Sequence, residues 1–305
     1  MPDHYTIAHS STDREQWLEA RRSGIGASDV PILLGLTTYG SNLSIYAQKC
    51  GDEPDPEAIE ETEPMRWGKL FEPAIREELA RRASLGDVQV IPEYTVLRST
   101  RYPWLCCTPD GLTAAGEPVE VKNIGHGYHE DEWDEGIPAK WHAQVQAQLL
   151  VTGAKRACFG ACLFGQRLVW EWIESDEITQ RSIIAITQAL WERIERRDPP
   201  PSDGMPDARR VAFAMADVRQ PVTLLEDRES MNLWETLRER ERGFRDQLKH
   251  AERARRAVED SLVISMGAAR SAVCGGYSLT RSTVERRGYT VAPSTYEQLK
   301  IKEAK

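Results

Sequence analysis

The sequence predicts an α/β fold: a mixed β-sheet flanked by helices, followed by a long helix and a small β-hairpin unit. Three observations carry this. Between Asp13 and Arg196, apolar residues recur at helical spacing in some runs and alternate in others, so helices and strands interleave along one stretch. From Asp198 to Asp207 the run DPPPSDGMPD supports neither helix nor central strand, because consecutive prolines lack amide protons and fix φ. Beyond it, Leu233, Leu237, Phe244, Leu248, Val258 and Leu262 keep helical spacing through a segment dense in both charge signs. These shifts divide the chain into residues 1–198, a proline-rich linker over 199–221, and an accessory unit over 222–305.

The elements follow in order. A helix is expected from Asp13 to Ser23 with Trp17 and Leu18 inward. GIGASDVPILLGL reads as a glycine-rich turn entering a short helix, with Ser28 or Asp29 near its cap. The acidic stretch DEPDPEAIEETE, residues 52–63, has little to bury and reads as an exposed loop. Trp67, Phe71, Ile75 and Leu79 recur every four residues and predict a helix with all four in the core; Pro73 predicts a break or a helix start within it. VQVIPEYTVLRS, LCCTPDGLT and PVEVKNI predict three strands, the last two joined by a turn at Ala115-Gly116. Trp141, Val145 and Leu149 predict a helix ending near Gly153, and CFGACLF and RLVWEWIE a hairpin about Gly165-Gln166. A helix from Ile178 to Arg196 closes this part. The last helix should run from about Leu224 to Met266, interrupted at Gly243, and its apolar stripe predicts a contact with another protein chain. SAVCGGYSLTRS and RGYTVAP should form the hairpin unit.

Composition narrows the function. The 305 residues carry 39 basic and 48 acidic side chains, a net charge of −9, which excludes coating DNA by bulk positive charge but leaves room for a local basic face. No apolar run approaches a membrane span, no signal-peptide core precedes residue 20, and six scattered cysteines form no disulfide framework, so a cytoplasmic protein is expected. His126, His129 and His142 lack zinc-ligand spacing. Cys106, Cys107, Cys158 and Cys162 lack the short spacing of an iron–sulfur site and read as buried thiols.

The stretch CCTPDGLTAAGEPVEVKN, residues 106–123, carries the chemistry. Strand alternation puts Glu120 and Lys122 on one face, and a hairpin brings Asp110 back beside them. Two carboxylates with open positions suit Mg²⁺ or Mn²⁺, which polarises a phosphodiester oxygen and acidifies a bound water. A lysine beside them holds that water or stabilises charge on phosphorus. This is the logic of the PD-(D/E)XK nucleases; a surface ion pair between neighbouring strand residues is the plain alternative.

Five motifs stand in one order: WLEARRSGIGASDV, MRWGKLFEP, CTPDGLT, VEVKN and HAQVQAQLLVTGA. Over roughly residues 13–197 the chain thereby resembles the YqaJ-type viral recombinase family, lambda-exonuclease-like members of the PD-(D/E)XK superfamily. The resemblance implies a PD-(D/E)XK core and a Mg²⁺-dependent deoxyribonuclease, with Mn²⁺ able to substitute. Such an enzyme degrades one strand of duplex DNA from a 5′ end and leaves a 3′ single strand for recombination. It implies metal-and-water roles for Asp110, Glu120 and Lys122, the Val121 carbonyl as a further metal ligand, and Glu72 as a helix carboxylate beside the metals. Gln144 is implied in the active centre, with Gln148 a weaker candidate one turn on. Arg21 and Ser28 are implied to meet the DNA 5′-phosphate, with Arg22 one residue away as the substitute. A ring of three subunits, a single-strand annealing protein as partner and a phage or prophage origin also follow from the resemblance. Two other functions stay open on the residues: a DNA-end-binding recombination accessory with a vestigial site, and a restriction-type endonuclease on the same core.

Overall fold

The computed structural model describes residues 4–10, 14–52, 62–91, 95–125, 133, 136–215, 227–274 and 277–280. Most of the acidic 52–63 stretch, His126, His129 and the segment RGYTVAP lie outside them. The chain forms two compact units, Met1–Ala216 and Asp217–Lys305. The strands are β1 (Tyr5–Ser10), β2 (Ile25–Gly26), β3 (Val88–Val90), β4 (Thr95–Ser99), β5 (Leu105–Cys107), β6 (Gly111–Thr113), β7 (Pro118–Ile124), β8 (Arg156–Leu163), β9 (Arg167–Glu174), β10 (Ser271–Cys274) and β11 (Tyr277–Thr280). The helices are α1 (Arg14–Arg22), α2 (Val30–Leu33), α3 (Asn42–Cys50), α4 (Glu63–Arg82), α5 (Ala139–Thr152), α6 (Glu177–Arg196), α7 (Ala208–Met215) and α8 (Arg228–Met266).

The first unit holds two sheets where one was expected. One has the order β1-β4-β5-β2, the other β3-β6-β7-β8-β9. Each of two predicted strands is split between them. VQVIPEYTVLRS supplies β3 to the second sheet and β4 to the first, with Pro92 in the sequence between; LCCTPDGLT supplies β5 to the first and β6 to the second. Proline cannot serve a ladder as donor, so runs containing Pro92 and Pro109 divide there. In the second sheet β7 is central, antiparallel to β6 and parallel to β8. Both hairpin turns sit as expected, with Gly116 and Gly165 at positive φ.

Helix α5 lies at the heart of the unit. Ala143, Ala147 and Val151 pack with Ile25, Leu97 and Leu105 from the first sheet, while Val145 and Leu149 pack with Phe159 and Ala161 from the second. A helix apolar on opposite sides is one buried on both. On the other face of β7, Val119 and Val121 pack against Ile75 and Leu79 of α4. Gly160 of β8 permits that approach, since a Cβ there would come within 2.9 Å of the Leu79 side chain. Helix α5 ends at Gly153, whose φ of 70° suits glycine.

Three helical expectations need correction. Trp67 and Phe71 are exposed and stack on each other with centroids 5.5 Å apart; only Ile75 and Leu79 of that series are buried. Four-residue steps on a turn of about 3.6 residues rotate by about 40° each, which carries the early members off the sheet-facing side. Pro73 lies inside α4 without ending it. Its missing amide removes one rung of the helical ladder, at a point where Pro73 is exposed. Helix α8 runs unbroken through Gly243, whose single-residue cost of about 1 kcal/mol is small against the helix's length.

The first unit also extends beyond the expected boundary at residue 198. Within the span taken for linker, α7 packs Ala208 and Val211 on Leu43 and Ala47 of α3, and Asp207 accepts a hydrogen bond from Ser41 Oγ at 3.2 Å. In the second unit, β10 and β11 pair antiparallel within SAVCGGYSLT itself.

Candidate functional site

Asp110 stands where the chain leaves β5 in one sheet for β6 in the other. Thr108 and Pro109 make the crossing, Thr108 donating from Oγ1 to the Thr95 carbonyl at 2.5 Å. The crossing delivers Asp110 to β7, where its Oδ2 accepts the Val121 amide proton at 2.6 Å. Glu120 and Lys122 share the face of β7 opposite Val119 and Val121, and Lys122 Nζ donates to Glu120 Oε1 at 2.5 Å. Helix α5 covers Glu120: Gln144 Nε2 donates to Oε1 and Gln148 Nε2 to Oε2, each at 2.6 Å. Glu120 is left 2% exposed with both carboxylate oxygens engaged.

The electrostatics follow from burial. Loss of solvent pushes the Asp110 carboxyl well above its ordinary value, and the nearby Glu120 and Glu72 carboxylates push the same way. Burial alone would lower the Lys122 ammonium, but Glu120 and Asp110 outweigh it and raise the group. Lys122 also lies 5.3 Å from the centre of the Trp141 ring. The second Gln148 side-chain atom, Oε1, is buried and has no hydrogen-bond partner.

These residues floor a cleft of about 230 Å³ whose lining includes Asp110, Glu120, Lys122, Gln144 and Gln148. Trp17, Arg21, Ser28 and Lys69 line the same cleft. Arg21 lies at the end of α1 with its guanidinium 4.9 Å from the Trp17 ring centre. Ser28 belongs to a 3₁₀ turn, Ala27–Asp29, between β2 and α2. The two segments are tied by one buried group: Lys49 Nζ bonds Asp29 Oδ2 at 3.0 Å and donates to the Arg21 carbonyl at 3.2 Å. Asp29 Oδ2 in turn accepts the Gly26 amide proton at 2.9 Å. Arg98 fixes the end of α1 from another side, donating to the Ser23 carbonyl at 2.5 Å.

Of the residues expected from sequence, Asp110, Glu120, Lys122, Gln144, Gln148, Arg21 and Ser28 meet in this cleft. Arg22, the substitute for Arg21, does not line it and bonds Glu19 at 3.0 Å. Glu72 is also outside the lining; its Oε1 accepts from Arg76 at 2.8 Å, and Arg76 leans to the Asp110 carbonyl at 3.4 Å. Val121 meets Asp110 through its N–H. Among the described residues no three His, Cys, Asp or Glu side chains form a group able to hold a metal by themselves. His142 lies 3.4 Å from Gln146, and Cys106, Cys107 and Cys158 are buried thiols. Sequence reasoning passed over Trp17 and Lys69, both of which stand inside motifs already singled out.

Among the described residues no helix is long and apolar enough to cross a membrane. Comparison with known proteins adds three findings. An uncharacterised Bacillus subtilis protein, YqaJ, is 30% identical over 172 residues, which is 55% of this chain and 52% of that one, so the chain spans about half the length of this curated relative. The fold resembles the alkaline exonuclease LHK-Exo of Laribacter hongkongensis, with 19% identity and a TM-score of 0.49 over 66% of this chain and all of that one. For LHK-Exo in complex with dAMP the values are 18% and 0.50, over the same shares. The α/β arrangement of sheets flanked by helices is thus a fold shared with that exonuclease. Residues 16–155 match the family of YqaJ-like viral recombinase domains. Every residue lining the cleft, from Trp17 to Gln148, falls inside that match.

Proposed function

We propose that the first unit is a Mg²⁺-dependent deoxyribonuclease, a 5′-to-3′ exonuclease on linear duplex DNA that leaves 3′ single strands for recombination. The supporting observation is the joint lining of one cleft by Asp110, Glu120 and Lys122 on its floor and by Arg21 and Ser28. Hydrolysis of a terminal nucleotide needs both a reacting centre and a hold on the strand end.

The donor set fits a hard divalent cation. Asp110 and Glu120 offer carboxylate oxygens and the buried Gln148 Oε1 an acceptor with no donor of its own, and the resemblance adds the Val121 carbonyl as a third hard donor. Mg²⁺ needs few protein ligands, because it keeps several waters and takes substrate phosphate oxygens as well, so two carboxylates suffice. When bound, the cation supplies Lewis-acid polarisation of the phosphodiester and an acidified water. The chain's own groups do the rest. Gln144 and Gln148 hold Glu120 in one rotamer. The Val121 amide fixes Asp110. Lys122 stands where its ammonium can orient the attacking water and stabilise charge growing on a non-bridging oxygen. Arg21 supplies a planar donor fork and Ser28 a hydroxyl to the terminal 5′-phosphate, while Lys69 adds a further cation against the backbone. The resemblance extends the proposal to a ring of three copies and to a single-strand annealing protein that receives the product.

End-labelled linear duplexes and closed circular DNA, each with EDTA or with Mg²⁺, test this reading. Shortening of the 5′-ended strand only, only on linear DNA and only with the cation, is expected. Cleavage in EDTA overturns the mechanism, and cleavage of circles moves the activity to an endonuclease.

A further inference from the structure

Helix α8 has 39 residues, none of them buried. At about 1.5 Å per residue it is about 58 Å long. Six of its apolar side chains fall on a seven-residue repeat: Trp234, Leu248 and Leu262 recur at one position, and Leu237, Phe244 and Val258 three residues further on, while Met231, Leu233, Val263 and Ile264 lie beside it. Leu237, Phe244, Leu248 and Val258 are 52%, 68%, 58% and 60% exposed. Gly243 falls on the side away from this seam, in open space. A seam of that regularity is the surface of a coiled coil with its other strand missing.

The charges decide what that strand is. Two seam positions are occupied by Glu241 and Arg255. In a parallel pair each meets its own copy, carboxylate on carboxylate and guanidinium on guanidinium, and Arg240 flanks Arg245. Antiparallel pairing removes all three. With Leu248 packed on Ala251 of a second copy, Leu237 meets Leu262, and Glu241 lies one layer from Arg255 across the seam. Along the edges Arg245 then faces Glu252 and Arg238 faces Glu259, each pair occurring twice by the two-fold symmetry. Sliding by one repeat either way sets Arg245 against Arg245 or Glu252 against Glu252. One orientation and one register therefore satisfy both the apolar seam and its charged borders. Within the single helix Arg245 pairs with Glu241 and Arg255 with Glu259, exposed pairs that contribute little, and Arg238 lies 4.9 Å from the centre of the Trp234 ring.

We propose that α8 pairs antiparallel with α8 of a second copy of this chain, centred on Leu248 and Ala251. The surface is isologous, so it closes after two copies whatever the first unit does.

Light scattering on the full chain tests the pairing, and engineered cysteines test its direction. The double variant Arg238→Glu with Arg245→Glu should halve the assembly mass, and adding Glu252→Arg with Glu259→Arg should restore it. Under mild oxidation, Leu237→Cys with Leu262→Cys should link two copies beyond the wild-type background; residues so far apart on one helix cannot join within a chain. Leu237→Cys alone should not. A mass unchanged by the first charge variant overturns the proposal, as does a wild-type monomer, in which the seam is covered by the chain itself. Self-linking of Leu237→Cys shows parallel pairing, and no rescue by the fourfold variant rules out the register.

Discussion

Gln148 Nε2 donates to Glu120 Oε2 at 2.6 Å, one helical turn from Gln144, whose Nε2 takes the other carboxylate oxygen at the same distance. The two amides thus share one buried carboxylate. Truncating Gln148 leaves Oε2 without its donor out of reach of bulk water, at a cost of about 1–3 kcal/mol, whereas truncating Gln144 leaves Oε1 its bond from Lys122 and should cost less. Gln144→Ala and Gln148→Ala should each lower the denaturant midpoint, read by far-UV circular dichroism. A wild-type midpoint for Gln148→Ala would show that Glu120 does not depend on it.

Lys122→Ala should bind DNA ends but cleave them at least about 10²-fold more slowly in kcat, as loss of a transition-state donor does. Single-turnover kinetics with a fluorescent duplex gives both quantities. A loss of only a few-fold makes Lys122 a structural partner of Glu120.

Arg21→Ala should reduce the advantage of a 5′-phosphorylated end over a 5′-hydroxyl end. Arg22→Ala should leave that advantage intact, since Arg22 lies outside the cleft lining and bonds Glu19. The measurement is the ratio of kcat/KM for the two ends. Equal ratios in wild type and Arg21→Ala would remove the assignment.

Asp29 and Lys49 form an ion pair whose side chains are 11% and 2% exposed. Burial alone would raise the Asp29 carboxyl, but Lys49, Arg21 and the Gly26 amide outweigh it and hold it below its ordinary value. A depressed carboxylate contributes stability that is complete above its unfolded pKa and is lost as pH falls through the folded one. Asp29→Asn should therefore cost about 3–5 kcal/mol near neutrality by stranding Lys49. Its stability curve should also lack part of the wild-type fall on the acid side below about pH 4. Parallel acid limbs in the two proteins would contradict this.

A chain ending at Ala216 should keep the first unit folded, whereas one ending at Asp198 should be less stable, because it loses the α7 contacts of Ala208 and Val211 with Leu43 and Ala47. The cleft lining ends at Gln148, so metal-dependent cleavage by the longer piece is expected. Thermal melting of both pieces decides it, and identical midpoints would return the boundary to residue 198.

Local rules sufficed wherever a residue's neighbours in sequence are also its neighbours in space. The alternation of β7 set Glu120 and Lys122 on one face, helical spacing set Gln144 and Gln148 one turn apart, and Gly116, Gly153 and Gly165 marked their turns. Those local patterns determined the α/β class, the candidate chemistry and most of the cleft. Tertiary structure decided what depends on partners distant in the chain. A run such as LCCTPDGLT looks like one strand until two sheets compete for its halves, and their separation is what places Asp110 at the crossing. Helix α5 shows little amphipathicity because it is buried on both sides, so its sequence alone names no inner face. The Asp29–Lys49 tie joins residues from two elements, and Trp67 and Phe71 are apolar by composition but exposed by where α4 meets the sheet. Periodicity records which residues share a side of an element; only packing determines which side is covered, and by what.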